Sequence, residues 1–120
     1  MPSDKPIVRL EDIVENIDRI ERYTKRHTSE SFRDDQQCQD AVERCLPRIS
    51  EAAKKLQGTI DSLAPDQPWS DVRAVGNVLR HEYDDVDPAV IWHIVANDIR
   101  PLKHAVQAAL QRLRTGSSWK

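Results

Sequence analysis

Along most of the chain, apolar residues recur at three- and four-residue steps, the period of α-helices that each bury one stripe. In the first stretch, from about residue 7 to 27, Leu10, Ile13, Val14, Ile17 and Ile20 share a face, with Tyr23 at its edge. The opposite face carries Glu11, Glu15, Asp18, Arg19, Arg22 and Arg26, and these mixed signs suit a solvated helix face better than a binding patch. Thr28, Ser29, Glu30 and Ser31 then interrupt the pattern with short hydroxyl side chains, which favour turns and helix caps. A second helix, about 35–57, places Cys38, Val42, Cys45, Ile49, Ala52 and Leu56 in the alternating four-and-three steps of a bundle seam, widened by Ala41, Leu46 and Ala53.

Prolines and glycines punctuate this pattern. Pro47 lies inside the second helix, where the lost hydrogen bond and the crowded preceding turn predict a kink without a break. Gly58 predicts a left-handed cap, and Pro65 and Pro68 predict a loop that ends at Trp69. Ser70 or Asp71 caps a third helix over about 70–83. The fourth is announced by Asp87 and Pro88, an N-cap followed by proline at the first helical position. Its stripe runs through Ile91, Ile94, Val95, Ile99, Leu102, Val106, Leu110 and Leu113, with a bend expected at Pro101. The prediction is an all-α, antiparallel four-helix bundle over 7–27, 35–57, 70–83 and 88–113, kinked in its second and fourth helices. One domain, 1–114, is followed by a frayed polar tail, 115–120.

Composition narrows the choice of function. A chain of 120 residues can bury one core without disulfides or metals. Charged residues make up 32% and aromatics 5%, which fits a helical bundle better than a β-sandwich. The formal net charge of -2 supplies no global attraction for nucleic acid, so any such contact has to be local. Cys38 and Cys45, seven residues apart on one helix and so about 10 Å apart, are beyond disulfide reach and read as reduced core residues of a cytoplasmic protein. No apolar run approaches a membrane span, and the N-terminal residues lack an export pattern. His27, His81, His93 and His104 show no zinc-ligand spacing with the cysteines, and Gly58, Gly76 and Gly116 form no phosphate loop, so neither metal nor cofactor is expected.

The chemistry is concentrated in the third helix and its exit. Arg73, Asn77 and His81 fall at i, i+4 and i+8, about 40° apart around the helix, and so lie along one broad face. Tyr83 follows His81 by two residues, where Asp84, Asp85 and Asp87 form an acidic turn. Taken alone, His81 also suits a structural role near the negative end of the helix dipole, and Tyr83 that of a core-edge aromatic.

The run GNVLRHEYDDVDPAVIWHIVANDIRPL, above all His81, Glu82 and Tyr83 followed by Val86, Asp87 and Trp92, resembles the end of a HepT-type HEPN domain. The SEAAKKL ending of the second helix and the Pro68-Trp69 entry to the third extend the resemblance over most of the chain, as does a proline after Asn97 and Asp98. Members of that family are all-helical, dimeric, metal-independent ribonuclease toxins of toxin-antitoxin pairs. The resemblance implies an RNA substrate, a homodimer with both His81 side chains in one shared cleft, and a minimal nucleotidyltransferase antitoxin that adenylylates Tyr83. It assigns His81 as acid/base and Asn77 as the orienting polar residue.

One departure bears on activity. The family's arginine position is occupied by Gly76, and neither Val75 nor Ala74 supplies the missing side chain. Arg73, about 12 Å from His81 along the helix axis, and Arg80, about 100° around it, are the available stand-ins, and both also read as ordinary surface cations. A glycine inside a helix costs about 1 kcal/mol relative to alanine and is commonly explained by close approach of another backbone, here the central helix of a dimer partner. Two functions therefore remain open: a ribonuclease toxin, and a non-catalytic helical partner of a nucleotidyltransferase.

Overall fold

The computed structural model describes residues 6–56 and 87–115. Five α-helices and one π-helical turn account for nearly all of them: α1 (Pro6–Thr24), α2 (Ser29–Arg33), α3 (Gln36–Lys55), α4 (Pro88–His93), the π turn Ile94–Asp98 and α5 (Ile99–Thr115). The predicted third helix, Gly58 and Trp69 lie outside the described residues, as do residues 116–120. No strand occurs among the described residues, and the architecture is the predicted all-α bundle.

Of the described helices, α1 packs against both α3 and α5. Only residues 25–35 join α1 to α3, so these helices run antiparallel. The ion pairs to α5 order that helix in the same way. Arg114 meets Glu11 near the start of α1, whereas Lys103 meets Asp18 and Glu21 near its end. The stripe read from the sequence is the buried one. Leu10, Ile13, Ile17 and Ile20 of α1 are fully buried with Phe32, Val42, Ala53, Val106 and Ala109. At about 25 cal/mol for each Å² of apolar surface taken from water, this burial drives the fold. Cys38 and Cys45 are buried free thiols, and burial is the main cause raising the pKa of each.

The first predicted boundary moves, because α1 stops at Thr24 rather than at residue 27. Thr24 is buried and donates its hydroxyl to the Ile20 carbonyl at 2.7 Å, while the His27 N–H closes a tight turn on the Thr24 carbonyl. The hydroxyl-rich interruption then builds its own short helix. Thr28 caps α2 in a reciprocal box, its hydroxyl accepting from the Ser31 N–H at 3.2 Å and Ser31 Oγ accepting from the Thr28 N–H at 2.8 Å. Asp35 caps α3, accepting from the Cys38 N–H at 2.9 Å. The helix α3 continues through Pro47 without a break.

The irregularity in the last helix lies just ahead of the proline that causes it. A regular helix would bring the Pro101 ring against the carbonyl of Asn97 and leave that carbonyl without a donor. The chain instead widens over Ile94–Asp98, and the Ile99 N–H reaches back five residues to the Ile94 carbonyl. The helix then resumes and runs to Thr115, two residues past the predicted end.

Candidate functional site

Arg73, Gly76, Asn77, Arg80, His81 and Tyr83 lie outside the described residues. The structure does define how the chain leaves that segment. Asp87 caps α4, its carboxylate accepting from the Ala89 N–H at 2.9 Å, with Pro88 at the first helical position as expected. Four residues on, Ile91 is buried, and half-buried Trp92 packs on Phe32 of α2 with ring centroids 5.3 Å apart and planes tilted by 41°. Phe32 in turn receives the His27 ring edge-on at 6.4 Å. The short helix α2, which has no counterpart among the predicted elements, is therefore the clamp on α4.

Two described clusters have the residue types of a site. His27 Nδ1 lies 2.9 Å from Ser31 Oγ and its Nε2 lies 3.3 Å from Asp35. This is the hydroxyl, imidazole and carboxylate order of a nucleophilic triad, but Ser31 belongs to the capping box of α2 and Asp35 caps α3. Holding those caps together accounts for the cluster. The second is an exposed pair across the end of α4 and the π turn, where the Asn97 side-chain amide donates to the His93 carbonyl at 3.0 Å and lies 3.1 Å from His93 Nδ1. That contact ties the widened turn to the end of α4. Among the described residues no group of three or more histidine, cysteine or carboxylate side chains could hold a metal ion, and no helix is long and apolar enough to cross a membrane.

The charged side chains are distributed unevenly. Lys103 reaches Asp18 at 2.8 Å and Glu21 at 3.1 Å, and these bonds raise its pKa, the one to Asp18 most. Arg19 is held by Glu15 at 2.9 Å. Arg44 and Arg48 are exposed on α3 and are in ion-pair contact with no carboxylate among the described residues. Reading the chain one helix at a time missed these two arginines. Their four-residue spacing was visible, but their position facing Arg19 across a groove was not.

The fold is that of an all-α, HEPN-like bundle. Comparison with known families goes further, because residues 13–109 match the family model described as "Ribonuclease HepT-like". The chain belongs to the HepT-like ribonuclease family. It is 39% identical over 94 residues to "Probable ribonuclease HepT" of Thermococcus cleftensis, a span covering 78% of this chain and 86% of that protein. It is 33% identical over 99 residues to "Putative RNase MJ0127" of Methanocaldococcus jannaschii, covering 82% of each. A third relative, "Putative RNase MJ0125" of the same organism, is 30% identical over 113 residues, or 94% of this chain and 97% of that one. No solved structure matches the chain.

Proposed function

We propose that the protein is an endoribonuclease, the toxin of a toxin-antitoxin pair, which cuts RNA without a metal through His81. The observation that carries this reading is the family match over residues 13–109, which spans the whole segment containing Asn77, His81 and Tyr83. The relatives' names support the ribonuclease part of this reading.

The chemistry follows from the residue types. A base takes the proton of a 2'-hydroxyl, whose oxygen attacks the neighbouring phosphorus. The bond from phosphorus to the 5'-oxygen breaks, and an acid returns a proton to that leaving oxygen. A histidine serves either role near neutrality, since its unperturbed pKa is about 6.5. In a homodimer, two copies of His81 in one cleft would divide the roles of base and acid, with Asn77 orienting the substrate. The charge that builds on the phosphoryl oxygens calls for a fixed cation. With glycine at position 76, that duty falls to Arg73 or Arg80, of which Arg80 is better directed at the partner's site.

Tyr83 is the control point of this reading. A minimal nucleotidyltransferase that attaches AMP there would add bulk and negative charge beside His81, competing with RNA phosphate for the same cations. A second reading, a non-catalytic partner of that enzyme, is favoured by one specific observation, the glycine at position 76, because loss of such a cation costs about two to three powers of ten in rate.

A ribonuclease assay in excess chelator separates the two. The toxin reading expects RNA cleavage by the wild type and none by His81→Ala, and equal rates from both proteins would overturn it. Incubation with the partner enzyme and ATP should add AMP to the wild type and not to Tyr83→Phe, as read by mass spectrometry. Modification at Tyr23 instead would remove Tyr83 from the scheme.

A further inference from the structure

The groove between α1 and α3 holds a cluster of charge that the fold itself does not require. Arg44 and Arg48 stand one turn apart on the same face of α3, an arrangement of like charges that weakens a helix. Arg19 faces them from α1, and the floor between the helices includes Cys45. Three guanidinium groups, Arg19 from α1 and Arg44 and Arg48 from α3, thus border one hollow from two helices. Tyr23, which is 40% exposed, lines the same hollow, whose volume is about 570 Å³. Its carboxylate is Asp40, which already accepts from Gln36 Nε2 at 2.8 Å.

Arg48 also lines a second hollow of about 310 Å³, further along the same pair of helices. Arg9 and Lys55 stand there with the carboxylates Asp12 and Glu51, and Arg9 lies 3.8 Å from Asp12. Asn16 lines this hollow too. It is only 7% exposed, and its Oδ1 is buried without a hydrogen-bond partner.

We propose that this groove binds the backbone of single-stranded RNA, with Arg44 and Arg48 against successive phosphates and the Tyr23 ring stacked under a base. The inference rests on the ribonuclease reading and adds to it a substrate track on residues remote in sequence from His81. Four residues of helix separate the two arginines by about 6 Å along the axis, comparable with the step between neighbouring phosphates on a strand. Each guanidinium can hold two phosphate oxygens at once. Stacking on tyrosine accepts any base, as a non-specific track requires. With a formal net charge of -2, the chain needs a local cationic patch of this kind to hold a polyanion.

The test measures binding of a fluorescein-labelled single-stranded RNA of roughly twelve nucleotides. The full-length His81→Ala protein serves as the parent, so that the probe survives. Adding Arg44→Gln and Arg48→Gln should raise Kd roughly twentyfold at about 0.1 M salt and reduce the salt slope by about 1.4, the share of two phosphate contacts. Arg44→Lys with Arg48→Lys should keep most of that slope, and Tyr23→Leu should raise Kd roughly tenfold with the slope unchanged. All of these positions are exposed or at the groove edge, so melting temperatures should stay within about 2–4 °C of the parent. Affinity and slope within twofold of the parent for the double Gln protein would overturn the groove.

Cleavage assays with His81 intact keep the two readings apart. Cleavage by the wild type together with unchanged RNA binding by the Gln pair would reject the groove and leave the ribonuclease standing. Binding lost with the Gln pair, but no cleavage by the wild type, would reject the ribonuclease and leave the groove as an RNA-binding surface. A wild type that neither binds nor cuts RNA would reject both.

Discussion

Replacing Phe32 with alanine should cost about 3–5 kcal/mol of stability, because the ring is fully buried and its loss removes transfer free energy and leaves a cavity. A phenylalanine buries roughly 150–250 Å² and each Å² contributes about 25 cal/mol, so the whole side chain is worth about 4–6 kcal/mol before the alanine methyl is credited back. The tilted contact with Trp92 at 5.3 Å adds roughly 0.5–1.5 kcal/mol within that total. A chain of 120 residues has about 6–18 kcal/mol in hand at 0.05–0.15 kcal/mol per residue, so the variant should still fold at room temperature. Urea unfolding followed by tryptophan fluorescence reads the loss as a lower midpoint with an unchanged slope. Phe32→Leu, which keeps most of the volume, should cost under about 1.5 kcal/mol from repacking plus the aromatic contribution. Because this ring clamps α4, Phe32→Ala should also lower RNA cleavage per folded molecule more than Leu110→Ala does, a cavity of similar cost elsewhere on α5. A Phe32→Ala cost below about 1 kcal/mol, in a protein of unchanged slope, would refute the claim that α2 clamps α4.

Three further outcomes are expected. Asn16→Leu should leave stability unchanged or raise it by about 1 kcal/mol in thermal unfolding, since it removes a buried oxygen without a partner; a clear loss of stability would contradict this. Lys103 has a pKa raised above 10.5 by Asp18 and Glu21, so its contribution is fully present below that pH and is lost as the pH rises through the folded-state value. The melting temperatures of the wild type and Lys103→Met should therefore differ at pH 8 and converge in strong alkali. Glu43 is shifted the opposite way to a paired carboxylate, its pKa raised above 4.5 by burial first and Asp40 second, so its charged form opposes folding. Glu43→Gln should raise the melting temperature at pH 7, and the gain should shrink as acid protonates the wild-type carboxyl.

The sequence by itself determined the all-α class and the buried stripes, because a 3.6-residue period with caps and prolines is a local signal. Leu10, Ile13, Ile17 and Ile20 are buried as their spacing requires, and the cap at Asp87 stands where a short acidic side chain precedes the helix. The family, too, was legible in His81, Glu82, Tyr83 and Trp92, whose spacing is a linear pattern. Pro101 stood out as a point of disturbance, but the π turn at Ile94–Asp98 just ahead of it depended on how the preceding turn could relieve the Asn97 carbonyl. The helix α2 was missed because its five residues carry one buried side chain, too few for any periodicity, and Phe32 gains its role only from Trp92, sixty residues away. The arginine groove was invisible for the same reason. Along α1 the mixed charges read as a solvated face, and only the antiparallel packing of α3 against it sets Arg44 and Arg48 opposite Arg19 and Tyr23. Local periodicity tells which face of a helix turns inward, whereas what stands across from the outward face is decided by the long-range packing of helices against each other.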